Sequence, residues 1–361
     1  MSDFPSFLSA TADYEKWLAG RVGIVSVDLA EKHAFMKSAE FPFLRATFYR
    51  WAQLWPLLHD HGFDSPDTPE VLAVGDLHVE NFGSWRDAEG RLAWGINDFD
   101  EACPMPYTID LVRLAASTIL AADAGDMRIG YQEACDAIRN GYRESLEAGG
   151  GPFVLGERHN WLLELVRPAR PANFWEKIQA LPSVEGKIPR VAAKGIERLL
   201  PASRLPYRLV HRAAGLGSRG RRRYAAIAEY AGGHVCREAK ELAPSAWWWA
   251  RQDSHDPDNH YQLVLDTAVR DPDPFVRAKN GWVVRRLAPD CMKIVLADVP
   301  KEKEKSKLLH AMGWETANIH LGSKRPRAIL RDLDRRPRHW LFESARFMLE
   351  KTRADWMEWK G

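Results

Sequence analysis

Carboxylates and amides cluster between residues 75 and 118. Gly75-Asp76-Leu77-His78-Val79-Glu80-Asn81-Phe82-Gly83 follows an apolar run, Val71 to Val74, that reads as a strand. A second short strand, Leu92 to Ile96, leads into Asn97-Asp98-Phe99-Asp100-Glu101, and Asp110 opens a helix. Phosphoryl transfer needs this inventory: oxygen ligands for Mg²⁺ and a carboxylate that orients the attacking hydroxyl. One loop can supply both if Asp76 faces the nucleophile and the Asn81 amide oxygen faces the metal. Asp98, at the end of the next strand, supplies a second ligand while Phe99 packs inward. His78 reads as a brace for the loop, because its ring can donate to a nearby carbonyl or carboxylate. Glu80 and Glu101 read as solvated or structural. Asp, Asn and Gly after a strand are also ordinary turn chemistry, so the reading rests on three linked elements in this order.

A second constellation lies more than a hundred residues later. Tyr207 to Arg212 reads as a strand, followed by Gly215-Leu216-Gly217-Ser218-Arg219-Gly220. Tyr224 to Tyr230, the turn Ala231-Gly232-Gly233 and a third strand, Val235 to Lys240, come next. A dinucleotide-binding fingerprint would open a helix and place an acid about 20 residues on; here that position is Lys240. Strand, glycine loop, strand, turn and a strand ending in Lys is the kinase-type order. Its glycines let backbone amides approach phosphates, and the Lys ammonium holds them. Gly215, Gly217, Ser218, Gly220 and Lys240 are therefore candidates for phosphate contact. Arg237 is a rival on the same strand but on its other face. Arg219 and Arg221 to Arg223 form a basic run that suits either a phosphate clamp or a solvated loop face.

The acidic stretch resembles the catalytic machinery of the protein-kinase-like superfamily, in particular its aminoglycoside and choline phosphotransferase branch. The pattern there is a Gly-Asp-x-His-x-x-Asn loop, then Ile-Asp-Phe/Trp, then an Asp-Leu helix. The resemblance implies Asp76 as catalytic base, Asn81 and Asp98 as metal ligands, and Asp100 as a supporting or second-metal carboxylate. It implies Asp110 as the buried acid that braces the catalytic loop, with His78 and Arg113 in support. The longer string, through Asp110-Leu111-Val112-Arg113-Leu114-Ala115-Ala116-Ser117, is similar to the bacterial domain-of-unknown-function 2252 family, which has no settled substrate. That resemblance spans most of the chain. It includes Phe43-Leu44-Arg45-Ala46-Thr47 and Lys240-Glu241-Leu242-Ala243-Pro244-Ser245. It puts Arg45, Arg285, Arg286 and Lys293 among the phosphate or substrate contacts; an Arg at the rim of an aromatic core is the plainer reading of Arg45. ATP and Mg²⁺ are the implied cofactors and a hydroxyl-bearing molecule the implied acceptor.

These residues need a scaffold of some size. The chain has 361 residues, 45% hydrophobic, which suits one large or two medium lobes. A net charge of +2 argues against a nucleic-acid binder. Cys103, Cys135, Cys236 and Cys291 are widely spaced and read as free thiols. No apolar run approaches membrane-spanning length and no signal-type segment follows Met1, so a soluble cytoplasmic protein with no membrane partner is expected. Residues 1 to 60 read as helical. Further helices are expected from Asp110 to about Ala124, with Leu111, Leu114, Ala115 and Thr118 on one face, and from Ile129 to Leu146, stopped at Gly149-Gly150-Gly151. Residues 152 to 206 are Pro-punctuated and read as helical, with Trp161, Phe174 and Trp175 as packing anchors. Phe275-Val276 and Trp282 to Leu287, turning at Asn280-Gly281, and Lys293 to Leu296 complete a small antiparallel sheet. A solvated charge run at 301–307 precedes helices at 306–321 and 325–360.

The expected fold is α+β and two-lobed, kinase-like (aminoglycoside phosphotransferase-like) and circularly permuted, because the glycine loop follows the catalytic loop instead of preceding it. Residues 1–206 form a helical lobe with the catalytic and metal-binding loops. Residues 207–300 form the antiparallel nucleotide-gripping lobe, and residues 301–361 return to the helical lobe. The permutation requires Lys240 within about 15 Å of Asp98, a reach set by side-chain and triphosphate lengths. The expected activity is an ATP- and Mg²⁺-dependent phosphotransferase. Alternatives are AMP transfer on the same fold, a non-catalytic nucleotide-binding regulator, and a metal-dependent hydrolase. The last is disfavoured because His78 is the sole nitrogen ligand in the motif. No glutamate stands out as the usual partner of the phosphate lysine; Glu238 and Glu241 flank it. Trp247-Trp248-Trp249 reads as lobe packing or a ring-stacking wall.

Overall fold

Period-two alternation builds the late sheet. Along Gly233–Glu241, Cys236, Glu238 and Lys240 fall on one face and Arg237, Ala239 and Glu241 on the other. The computed structural model describes residues 4–125, 129–166, 171–252, 259–292 and 302–361. Among these residues, five strands form one antiparallel sheet in the order Arg208–His211, Arg223–Tyr230, Gly233–Glu241, Trp282–Leu287, Arg277–Lys279. The turn at Asn280-Gly281 has positive φ at both residues, 52° and 74°, as a two-residue hairpin turn of this hand requires. The expected strand from Lys293 to Leu296 lies outside the described residues.

Each face of the sheet has its own small core. Ala226, Ala239 and Val284 pack on Ala192 and Ile196 of helix Arg190–Leu199. Val210, Ala225 and Cys236 pack on Ile178, beside Phe174 and Trp175 of helix Pro171–Gln179. A boundary at residue 206 places both helices in the helical lobe. In the structure they pack on the two faces of the sheet, burying its apolar side chains.

The remaining helices enclose one large core. Helix Thr108–Asp123 is buried from Thr108 to Ala121, on all sides and not on a single face. Helices Tyr131–Ala148 and Trp340–Lys360 pack against it. Helices Tyr131–Ala148 and Glu302–Leu321 cross so closely that a Cβ on Gly141 or Gly313 would run into the carbonyls of His310 or Ile138. Glu302–Leu321 starts earlier than the expected 306, and Lys305 in its first turns is buried, so the charge run is not simply a solvated face.

Two further small sheets present the acidic loops. Glu70–Ala73 pairs with Cys103–Pro106. Phe82–Arg86 pairs with Leu92–Ile96, which pairs in turn with Phe153–Val154. That last strand falls in a stretch read as helical; two residues are too few for a periodicity to register. The four cysteines are free. Among the described residues no helix is long and apolar enough to cross a membrane.

Candidate functional site

The loop that carries Asp76 is fixed from beneath. Asp110, fully buried, accepts hydrogen bonds from the Val74 and Gly75 amides, both at 2.7 Å. Its Oδ2 also lies 2.8 Å from Nε2 of His320, at the end of Glu302–Leu321. Nδ1 of His320 meets the Tyr142 hydroxyl at 2.8 Å. Asp76 then emerges with its carboxylate held by Arg113, Nε at 2.8 Å and Nη2 at 2.5 Å. Arg113 is fully buried, donates to the Leu44 carbonyl and lies over the rings of Phe48 and Trp51. Burial pushes the Asp76 carboxyl up to about 6, with Arg113 pulling against it.

Asn81 closes a short 3₁₀ turn, Val79–Asn81. Its Oδ1 accepts from the His78 amide at 2.6 Å, and His78 Nδ1 accepts from the Glu80 amide at 3.1 Å. His78 thus caps the turn, its ring accepting from an amide instead of donating to a carbonyl or carboxylate. Arg45 pairs with Glu80 at 2.7 Å and places Nε 3.3 Å from His78 Nε2. It stands at the cavity rim with these partners.

The late sheet meets this loop at Lys240. Lys240, 1% exposed, places Nζ 3.1 Å from Asp98 Oδ1 and 2.5 Å from Asp100 Oδ1. Burial alone would raise the Asp98 carboxyl, but Lys240 and Arg285 outweigh it and hold Asp98 low. Asp100 is pushed up, by burial and by the charge of Asp98. Glu101 is buried, not solvated. It pairs with Arg221 at 3.2 Å and accepts from the Ala246 amide at 2.7 Å.

The acid partners of Lys240 therefore come from the early loop. Glu238, on the same face two residues before it, belongs to Arg212, Arg223 (3.0 Å) and Arg285 (3.1 Å). Glu241 pairs with Arg222 and accepts from the Gly23 amide. The basic run is neither a free clamp nor a solvated face. Arg219 meets Glu31, Arg221 meets Glu101, Arg222 meets Glu241 and Arg223 meets Glu238. Arg237 turns to the opposite face, donating to the Leu199 carbonyl and lying over Phe275.

Asp76, Asn81, Asp98 and Asp100 line one cavity of about 50 Å³, roofed by Gly215, Gly217 and Ser218. A Cβ on Gly217 would stand 3.0 Å from Asp76 Oδ2 and 3.3 Å from the Arg45 carbonyl, so a side chain here would crowd Asp76. The Ser218 hydroxyl accepts from Arg223 at 2.8 Å. Gly220 lies apart from the cavity, against Leu29, its carbonyl accepting from the Val25 amide. A second chamber, about 180 Å³, shares Asp98 and Gly215 with the first. Arg212, Arg223, Arg270, Arg285 and Arg286 converge on it beside Trp85, Phe99 and Tyr261. Lys293 lies outside the described residues. Trp249 packs edge-on against Tyr14 and Tyr49, so the tryptophan run serves packing. Tyr14 and Lys32 of the N-terminal helices and Arg270 were not among the residues anticipated; no local motif marks them.

Residues 25–161 match a family described as an uncharacterized protein conserved in bacteria (DUF2252). The match takes in Arg45, Asp76, Asn81, Asp98 and Asp110 and stops before the glycine loop and Lys240, a narrower span than the resemblance implied. Neither the curated proteins nor the solved structures give a match.

The donors near Asp98 suit a hard cation shared with a ligand. Among the described residues no three His, Cys, Asp or Glu side chains group into a metal-holding cluster. Asp98 and Asn81 offer carboxylate and amide oxygens. Both are hard oxygen donors of the type that Mg²⁺ takes, although Asn81 Oδ1 already accepts from the His78 amide and Asp98 is paired with Lys240.

Proposed function

We propose that this chain is an ATP- and Mg²⁺-dependent phosphotransferase of kinase-like, circularly permuted architecture, acting on a hydroxyl acceptor. The observation that carries the reading is the 3.1 Å contact between Lys240 and Asp98, 142 positions apart, with Asp98 lining the cavity that also holds Asp76 and Gly217. A glycine loop, a lysine and an acidic loop meeting at one place is the equipment of phosphoryl transfer. In this reading Arg113 orients Asp76, whose carboxyl near 6 is matched to accepting a proton at neutral pH. The acceptor oxygen bonds to the γ-phosphorus as the bond to the bridging oxygen of ADP breaks, and the hydroxyl proton passes to Asp76. Asp98 and Asn81 would hold Mg²⁺, with Asp100 behind them; bound Mg²⁺ supplies neutralisation of phosphate charge. Lys240, Arg285 and the amides of Gly215 to Ser218 would hold the phosphates, Lys240 exchanging Asp98 for a phosphate oxygen.

An ATP-consumption assay with Asp98→Ala tests the reading. We expect Mg²⁺-dependent turnover to disappear, and unchanged turnover would count against it. The product mass separates phosphoryl from adenylyl transfer.

A further inference from the structure

Two buried cations in the Asp76 cavity are short of partners. Lys32, on helix Ser26–Ser38, is 5% exposed, and its ammonium donates to the Gly217 carbonyl at 3.2 Å. Among the described residues no carboxylate forms an ion pair with it. Arg221, 3% exposed, gives Nη2 to Glu101, while its Nε and Nη1 make no hydrogen bond among the described residues. Asp100 lies 3.8 Å from Nη1, too far for one. Both side chains line the same small cavity as Asp76.

The cavity's own acids are committed elsewhere. Asp76 is held by Arg113, and Asp98 and Asp100 by Lys240. Glu101 divides its oxygens between Arg221 Nη2 and the Ala246 amide. A buried charge is costly unless paired and hydrogen-bonded, and burial, then the charge of Arg221, lowers the Lys32 ammonium to about 8. Donor capacity on Lys32 and on Nε and Nη1 of Arg221 is thus left unfilled beside the cavity. The volume limits the size of a ligand there. A water needs roughly 10–15 Å³ by this kind of measure, so a cavity of about 50 Å³ has room for one carboxylate or phosphate group and not for a ring.

We propose that the acceptor carries an oxyanion of its own, which docks on Lys32 and Arg221 while a neighbouring hydroxyl turns to Asp76. This rests on the phosphotransferase reading for the role of the bound molecule. Gly217 touches both sides of the arrangement. Its carbonyl accepts from Lys32, and a Cβ built on it would stand 3.0 Å from Asp76 Oδ2, so oxyanion and hydroxyl would lie within a few bonds of each other. The substrate class is a small hydroxy acid or a phosphorylated polyol. A cationic acceptor such as choline, which the superfamily resemblance would suggest, meets the Lys32 ammonium, which has no carboxylate partner among the described residues, and the unfilled donors of Arg221 instead.

Thermal unfolding of the full chain tests this with inorganic phosphate, glycerate, glycerol 3-phosphate and choline, on wild type, Lys32→Met and Lys32→Arg. We expect the oxyanions to raise the wild-type midpoint saturably and choline to leave it unmoved. Comparing glycerate with glycerol 3-phosphate tells carboxylate from phosphate. Lys32→Met should bind the anion at least tenfold more weakly, yet unfold no earlier than wild type without anion, because it removes an unpaired charge. Lys32→Arg should retain the response. An equal response from Lys32→Met, or none from wild type, overturns the proposal. Displacement of phosphate by a non-hydrolysable Mg·ATP analogue but not by Mg·ADP would make the γ-phosphate the occupant, overturning the acceptor assignment and leaving the phosphotransferase reading intact. Anion binding with no Mg·ATP binding overturns that reading and, with it, the acceptor role.

Discussion

The two sides of the cleft are held by different forces. On the early side, Asp110 spends its carboxylate on two backbone amides and His320, and Asn81 spends its Oδ1 on the His78 amide. Three of these four bonds tie a side chain to backbone and the fourth joins Asp110 to His320, so the loop that carries Asp76 has little freedom. On the late side strand Gly233–Glu241 is fixed by backbone pairing along both edges, while the charged side chains it presents are engaged in ion pairs, among them Arg223–Glu238 and Lys240–Asp98. Such pairs can exchange one anion for another without moving the backbone. The contrast sets an acidic loop tied to backbone against a basic wall tied through side-chain ion pairs; under the proposed function a ligand's phosphates would replace those partners.

If that contrast is right, damage to the acidic loop should be the most severe. Asp110→Asn removes the charge and leaves a donor facing the Val74 or Gly75 amide; we expect a loss of about 3 kcal/mol, read from urea unfolding. A loss under about 1 kcal/mol would mean the loop is braced elsewhere. Lys240→Met comes next, at about 2 kcal/mol, because Asp98 keeps some contact with solvent. Its size depends on pH. Asp100 is already pushed up, so the folded protein takes up a proton there more readily than the unfolded chain. Acid therefore relieves the Asp98–Asp100 repulsion, and the Lys240→Met deficit should shrink as pH falls.

Asp76 makes a related test of the acidic loop. With the folded carboxyl near 6, above its unfolded value, its contribution to stability is full below the unfolded value and lost as pH rises through about 6. As a base it must be ionised, so turnover should rise through about pH 6, and a profile flat across that range would remove Asp76 from the role. Gly217→Ala should have the smallest effect on stability, under about 1 kcal/mol, since the loop can yield. Turnover should still fall, because the new Cβ crowds Asp76.

How much of this was legible beforehand follows the same division. Asp76, Asn81, Asp98 and Asp110 stand close together in sequence, and their spacing is tied to a strand, a turn and a helix, so the chain displays them. The glycine-loop hairpins were also legible, since alternation and turn residues are local signals. The brace from His320 to Asp110, the three arginines on Glu238 and the burial of Lys32 depend on contacts between remote segments, which no local pattern records. Tertiary packing likewise decided that helix Thr108–Asp123 is buried on all sides, and that helices Pro171–Gln179 and Arg190–Leu199 belong with the sheet.

The most direct measurement is calorimetric titration of a non-hydrolysable Mg·ATP analogue into wild type, Lys240→Met and Arg237→Met, with folding checked by circular dichroism. Lys240 and Arg237 share a strand and face opposite ways. Binding should weaken at least tenfold in Lys240→Met and stay at the wild-type level in Arg237→Met. Equal binding by all three folded proteins, or none by wild type, would contradict the claim that the early acidic loops and the late lysine grip one nucleotide.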